Sequence, residues 1–398
     1  MFFLRKKLDS NLQDSLSSKF YSDFRVLVRY SNFKDNICKK ILSYKGTVIH
    51  TIDSCKLICA TLTSKSINRL IEYPEIEYIC LDEFLFVCGM NVQTANKAKA
   101  SNNLSYTGKG IGIGLIDTGV YPHKDLIAPF NNLADFTDVI NDFKYPYDDN
   151  GHGTCMAGII CGNGSSSSGM YKGIAPDSKL YCYKAFNKLG RGYASDVMFS
   201  LEQLILRAHD HNIKLICMPC ELLTYNSCLT NYFEILFKFA CSNNIVVVVP
   251  SGSKDNMTSS ILNFANSKDC LTIGGLNTKG IISPYLYSGA GLLKKSLKPD
   301  FSAACCDIVS LNCDKNYVSD RNGVKQYPKK LDVSYTTFSG TSLATAYIVG
   351  LCALIFEENN SYTFNDIKSL LTIACEPIDD IKPMHQGLGP INIKNILN

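Results

Sequence analysis

Three short strings, far apart in the chain, carry side chains able to act together on an acyl group: Asp117-Thr118-Gly119, Gly151-His152-Gly153-Thr154 and Gly340-Thr341-Ser342-Leu343-Ala344. A serine hydroxyl is a weak nucleophile until a neighbouring imidazole takes its proton. The imidazole needs a carboxylate to fix its tautomer and stabilise its charged form. Asp117, His152 and Ser342 offer these roles in one of the chain orders compatible with that geometry. Ser342 opens a strongly apolar stretch, which predicts a helix N-terminus where backbone N–H groups assist an oxyanion. His152 stands between glycines, which permit close approach. Taken singly, the strings also read as a strand-end turn, a loop histidine and a helix cap. The combination points to nucleophilic catalysis.

Such residues need a scaffold, and the pattern after residue 106 predicts one. Strands are expected at Ile111 to Ile116, Lys179 to Lys184, Ile213 to Met218, Ile245 to Val249 and Cys270 to Ile273. Between and after them fall helices: one from the Gly-His-Gly-Thr string, then Ser195 to Asp210 with Ser195 as N-cap, Asn231 to Cys241, Ser342 to Glu357 and Thr363 to Cys375. Alternation of this kind implies an α/β fold, a mostly parallel sheet with helices on both faces. Sites in such sheets form at the carboxyl ends of strands, where Asp117 falls. Residues 21–88 predict a separate small α+β, ferredoxin-like domain of order β-α-β-β-α-β, its last strand at Glu83 to Val87. Residues 1–20 read as an extension, 89–105 as a linker and 106–398 as the main domain. Ser165 to Ser168 reads as a flexible surface loop.

Composition narrows the class. The 398 residues are 46% hydrophobic and 19% charged, which suits a buried core and excludes global disorder. A net charge of +4 over 40 basic and 36 acidic residues gives no nucleic-acid footprint. The start lacks the apolar region of a secretory signal, and the longest apolar run, Ala344 to Phe356, is too short for a bilayer. No membrane partner and a cytoplasmic location are therefore expected. The 18 cysteines follow apolar positions and are expected to be reduced. Cys217 and Cys220 have redox or zinc spacing without a second pair. Asp148 and Asp149 read as solvating their loop.

The triad strings, with Tyr106-Thr107-Gly108-Lys109-Gly110 and Gly173-Ile174-Ala175-Pro176, resemble the subtilisin (subtilase) family of serine proteases from about Tyr106 onward. The first 90 residues are similar to that family's inhibitory propeptide. The resemblance implies an endopeptidase with Asp117, His152 and Ser342 as triad, no required cofactor, and two partners: a peptide or protein substrate and its own propeptide. A junction is implied within Phe84 to Met90; the alternative is a permanent N-terminal domain. Substrate would pair with edges at Gly190, Gly192 and Tyr193, and at Met218, Cys220 and Glu221. Glu221 replaces a usual glycine, and either favours Lys or Arg in the peptide or is simply solvated. Ser253 stands where the family's oxyanion asparagine is expected, which implies slowed catalysis and a hydroxyl reaching the oxyanion only through water. The resemblance also allows a Ca²⁺ site at Asp125 and Asn163. Those departures leave one rival, a pseudoprotease that binds peptides as a scaffold. Another rival is a dedicated processing protease trimming a leader peptide.

Overall fold

The computed structural model describes residues 6–18, 22–52, 56–81, 90–91, 95–96, 106–223, 225–291 and 298–397. Two units divide the chain, Met1–Cys88 and Gly89–Asn398.

The smaller unit holds helix α1 (Ser10–Ser18), β1 (Asp23–Tyr30), α2 (Lys34–Ser43), β2 (Thr47–Ile52), β3 (Leu57–Thr63), α3 (Ser64–Leu70) and β4 (Ile76–Leu81). Strand order is β2-β3-β1-β4, with every pairing antiparallel. Alternation in β1 buries Phe24, Val26, Val28 and Tyr30 on one face, against Ile37, Ile41, Ile67 and Leu70 of the two helices. The Thr63 hydroxyl caps α3 by accepting from Ser66 N–H. Residues 6–18, expected as an extension, belong to this core. Leu8 and Leu12 are buried, and Ile79 N–H donates to Lys7 O at 2.8 Å. The strand expected at Glu83 to Val87, most of the linker, and the junction other than Met90 lie outside the described residues.

The larger unit runs β5 (Met90–Asn91), β6 (Gly112–Asp117), α4 (Lys124–Ile127), β7 (Leu133–Asp138), α5 (His152–Cys161), β8 (Lys179–Lys184), α6 (Ala194–Leu206), α7 (Ala208–His211), β9 (Ile213–Cys217), α8 (Ser227–Ser242) and β10 (Val246–Pro250). It continues with β11 (Leu271–Asn277), β12 (Ser283–Pro284), β13 (Phe301–Ala304), β14 (Ile308–Leu311), β15 (Asp320–Arg321), β16 (Val324–Lys325), β17 (Tyr335–Phe338), α9 (Thr341–Glu358), α10 (Phe364–Ile373) and α11 (Pro383–Gln386). Neighbours in the main sheet follow the order β7-β8-β6-β9-β10-β11-β13, all parallel, with β12 antiparallel to β11.

The valine run of β10 serves both faces. Val246 and Val248 join the core beneath α5 and α9, whereas Val247 and Val249 join the core beneath α6 and α8. Helix α9 is buried from Leu343 to Phe356, which accounts for its uninterrupted apolar sequence. Its apolar length serves the centre of this fold. Ser195 is not a cap: α6 starts at Ala194, with Tyr193 in the capping position. Asn226 caps α8, accepting from Leu229 N–H, and a reciprocal Thr363–Asp366 box caps α10.

Chain order reverses at β6. The chain goes from it to β7 and β8 on one side and to β9, β10 and β11 on the other. A crevice must open at the carboxyl end of such a switch strand, and β6 ends at Asp117.

Candidate active site

Asp117 is buried, 2% exposed, and the turn after it is fixed by its own neighbour: Thr118 N–H donates to Asp117 Oδ1 at 2.6 Å. His152, the first residue of α5, brings Nδ1 to 2.8 Å from Asp117 Oδ1 and 2.9 Å from Oδ2. With the carboxylate bound at Nδ1, the imidazole's Nε2 is left for proton transfer. Burial pulls the His152 pKa down, but the charge and hydrogen bond of Asp117, with Asp148 beyond, outweigh it, and the net shift is upward. Gly153 is required for another reason than expected: a Cβ there would lie 2.0 Å from Gly119 O, so the glycine lets two turns pack.

Asp148 is not a solvated loop residue. It is fully buried, and its Oδ1 accepts from Thr118 Oγ1 (2.9 Å), Asn150 N (3.1 Å) and Gly151 N (2.8 Å). Its Oδ2 accepts from Thr154 N (2.9 Å) and Thr154 Oγ1 (2.6 Å). One carboxylate thus joins the turn after Asp117 to the start of the His152 helix. Lys184 supports the same turn from a fully buried position, donating to Thr118 O (2.5 Å), Phe186 O (3.0 Å) and Asp149 Oδ1 (2.7 Å). Sequence reading singled out neither as structural. Asp148 precedes the Gly-His-Gly-Thr string by three residues, and Lys184 ends an apolar strand, which are the signals that could have marked them.

Ser342 is the second residue of α9, where N–H groups have no intrahelical partner. Gly340 before it has φ 153°, ψ 152°, backbone that side chains disfavour. The Ser342 hydroxyl donates to Pro219 O at 3.2 Å, and among the described residues it makes no hydrogen bond to His152. Pro219 lines the same cleft of about 300 Å³ as Asp117, His152, Gly190, Cys220 and Glu221. At 3.2 Å the Pro219 contact is long for O–H···O, and turning the hydroxyl elsewhere costs about 1 kcal/mol or less.

The other expected residues divide. Gly190 lines the cleft, Gly192 packs against Ala185 O, and Tyr193 is 79% exposed. Met218 does not present itself to a peptide. Its side chain is buried, its N–H donates to Val248 O, and its carbonyl accepts from Cys220 N–H. Cys220 lines the cleft, and burial raises its thiol pKa. Glu221 and Ser253 meet each other: Ser253 N–H lies 3.1 Å from both Glu221 carboxylate oxygens, and the Ser253 hydroxyl also donates to Glu221 Oε1. Glu221 is therefore engaged, not free in solvent, and the Ser253 hydroxyl faces a carboxylate.

Calcium at Asp125 and Asn163 does not fit the donor set. Asp125 is fully buried; Ser165 Oγ (3.1 Å) and Ser166 N (2.9 Å) donate to its Oδ1, and the Tyr335 hydroxyl to its Oδ2. Asn163 donates to Ala128 O at 2.6 Å and accepts from Ser165 N–H at 2.8 Å. The lone pairs a cation needs are turned toward hydrogen-bond donors. Burial alone would raise the Asp125 pKa, but bonds from Ser166 and Tyr335, with His123 nearby, bring it below the usual range. Ser165–Ser167, expected as a flexible loop, is a short 3₁₀ turn serving this carboxylate. Chelation with EDTA should leave the melting temperature unchanged. Asp125→Ala strands three donors and should cost about 3 kcal/mol or more, read by denaturant unfolding. A drop of several degrees on chelation would restore the metal. Nor, among the described residues, does any group of three His, Cys, Asp or Glu side chains suit a metal, Cys217 and Cys220 included.

The profile of the Subtilase (peptidase S8) family matches residues 108–388. Serine protease AprX of Bacillus subtilis is 28% identical over 99% of this chain and 90% of its own length. Subtilisin E of Bacillus subtilis is 23% identical over 89% of this chain and 84% of its own. Among solved structures, Sphericase superposes with a TM-score of 0.62 at 24% identity, covering 76% of this chain and 97% of that one, a likeness of fold. With that match spanning both the Asp117 and Ser342 strings, the chain belongs to the subtilase family of serine proteases.

Proposed function

We propose that this chain is an endopeptidase that hydrolyses peptide bonds through an acyl-enzyme on Ser342. His152 Nε2 takes the Ser342 proton as the hydroxyl attacks the scissile carbonyl, and later returns it to the leaving amine. Asp117 fixes the tautomer and stabilises the imidazolium. The helix N-terminus at Ser342 supplies N–H groups and a favourable dipole for the oxyanion. The observation that carries this reading is the paired Asp117–His152 contact in the cleft whose wall, Pro219, holds the Ser342 hydroxyl. Apo sites often close such hydrogen bonds only with substrate bound. A peptide would run past Gly190, Gly192 and Tyr193 on one side and Cys220 and Glu221 on the other.

The smaller unit is proposed as an inhibitory propeptide, released by the enzyme's own activity. Its β-α-β-β-α-β order supports this. So does the subtilisin E alignment, which covers more of the chain than the larger unit alone can supply. A compartment that keeps thiols reduced, such as the cytoplasm, suits the chain: Cys155, Cys161, Cys182, Cys217, Cys270 and Cys352 are buried free thiols.

A fluorophosphonate probe with intact-mass readout tests both parts. One adduct on Ser342 is expected, and the wild-type chain should shorten by roughly 85–90 residues, the length of a propeptide domain of this size. Absence of any adduct removes catalysis. An adduct on a chain that never shortens removes self-processing alone.

A further inference from the structure

Three chain segments meet at the cleft, and hydrogen bonds tie them in pairs. The segment after β9 receives the Ser342 hydroxyl at Pro219 O, 3.2 Å. The loop after β10 receives the Thr341 hydroxyl at Gly252 O, 3.1 Å. The third tie joins those two segments directly: Glu221, two residues past Pro219, clasps Ser253, one residue past Gly252. Gly252 makes room for it, since a Cβ there would lie 2.8 Å from Glu221 Oε2, and its φ of 106° suits glycine. The Glu221–Ser253 pair therefore sits one short segment from the nucleophile on either side.

The charge there is unbalanced. Glu221 lines the cleft with Asp117 and His152, and among the described residues no Lys, Arg or His pairs with it. Its partners are the N–H and hydroxyl of Ser253. Those are donors of the kind an oxyanion needs, and they are committed to a carboxylate. A carboxylate so placed also repels an anion developing nearby. A cation arriving with the substrate would relieve both faults, because ammonium or guanidinium to carboxylate bonds are about twice as strong as those from neutral donors.

We propose that Glu221 is a substrate-sensing latch: in the free enzyme its carboxylate holds the Ser253 donors, and a Lys or Arg side chain beside the scissile bond draws it off them, releasing Ser253 toward the oxyanion. This rests on the reading of Ser342 as nucleophile. Basic substrates then gain in two ways, by pairing with Glu221 and by acquiring donors that neutral substrates leave latched. The preference should fall on kcat as well as KM, because a released donor acts in the transition state.

Fluorophosphonate labelling of the full chain comes first, then peptide pairs carrying Lys or norleucine at each position flanking the cleavage point. The wild type should favour Lys at one position by about 100-fold in kcat/KM, the scale of one oxyanion donor. Glu221→Gln should bring that ratio to within about threefold of unity, while Glu221→Asp, which keeps the charge, should retain part of it. Ser253→Ala should lower kcat on the Lys peptide about tenfold more than on its norleucine partner. A labelled enzyme whose Lys preference survives Glu221→Gln overturns the latch. So does Ser253→Ala acting equally on both peptides. An unlabelled wild type overturns the nucleophile reading and the latch with it, a result separate from either.

Discussion

Ser342→Ala will lower kcat for peptide hydrolysis by about 10⁶-fold and Asp117→Asn by about 10⁴-fold, magnitudes carried over from serine proteases with this triad. The two losses differ in kind. Removing Ser342 abolishes the covalent route and with it the fluorophosphonate adduct. Asp117→Asn keeps the nucleophile but takes away the charge facing His152 Nδ1 at 2.8 Å. That charge and its hydrogen bond hold the His152 pKa up against burial, so the acid limb of kcat/KM lies above the ordinary histidine value. In Asp117→Asn the limb should move toward lower pH. Stability runs the other way. Because the folded pKa is raised, the protonated His152–Asp117 pair stabilises the fold most fully below the unfolded value, and this contribution fades as pH rises through the folded one. Between those values the wild type should gain activity while losing this contribution. An acid limb that stays in place in Asp117→Asn would show that Asp117 does not govern the imidazole.

The residues proposed to do the chemistry were legible because local chemistry marks them. Asp117 ends an apolar strand, His152 opens a helix after glycine, and Ser342 heads an apolar helix. The strands buried on both faces, such as Val246–Pro250, were legible for the same reason: a run of valines has few other places to go. What the sequence hid was partnership over distance. Asp148 looked like one more loop acid, since nothing local says that five donors from four residues converge on it. Glu221 and Ser253 are 32 residues apart, and their contact exists only because β9 and β10 end side by side. The calcium expectation failed for a similar reason. A carboxylate in the right place says nothing of the Tyr335 hydroxyl that reaches it across 210 residues. Strand β7 (Leu133–Asp138) went unpredicted because its mixed polar sequence, at the sheet edge, lacks a clear period.

Asp148→Asn should therefore behave as a core mutation although it changes one oxygen to an amide in what reads as a loop. Every lone-pair direction of the carboxylate is met by a donor, so whichever way the amide turns, its NH₂ opposes the donors at Oδ1 or those at Oδ2. Leaving two buried donors unmet costs about 3–5 kcal/mol, against well under 1 kcal/mol for a solvated loop acid. Chemical denaturation distinguishes these. The catalytic consequence follows from what Asp148 joins: Thr118, next to Asp117, and Gly151 and Thr154, either side of His152. Loosening that tie by a fraction of an ångström misplaces the base, and displacements of about 1 Å cost up to about 10²-fold in rate. Asp148→Asn should thus lower kcat far more than it changes KM, since it touches the approach of His152 and not the peptide edges. If kcat stays within about threefold of wild type while stability falls, Asp148 secures the fold without positioning the imidazole. If both hold, the buried carboxylate is dispensable and the turn after β6 is fixed by Lys184 and the packing of Gly153 against Gly119.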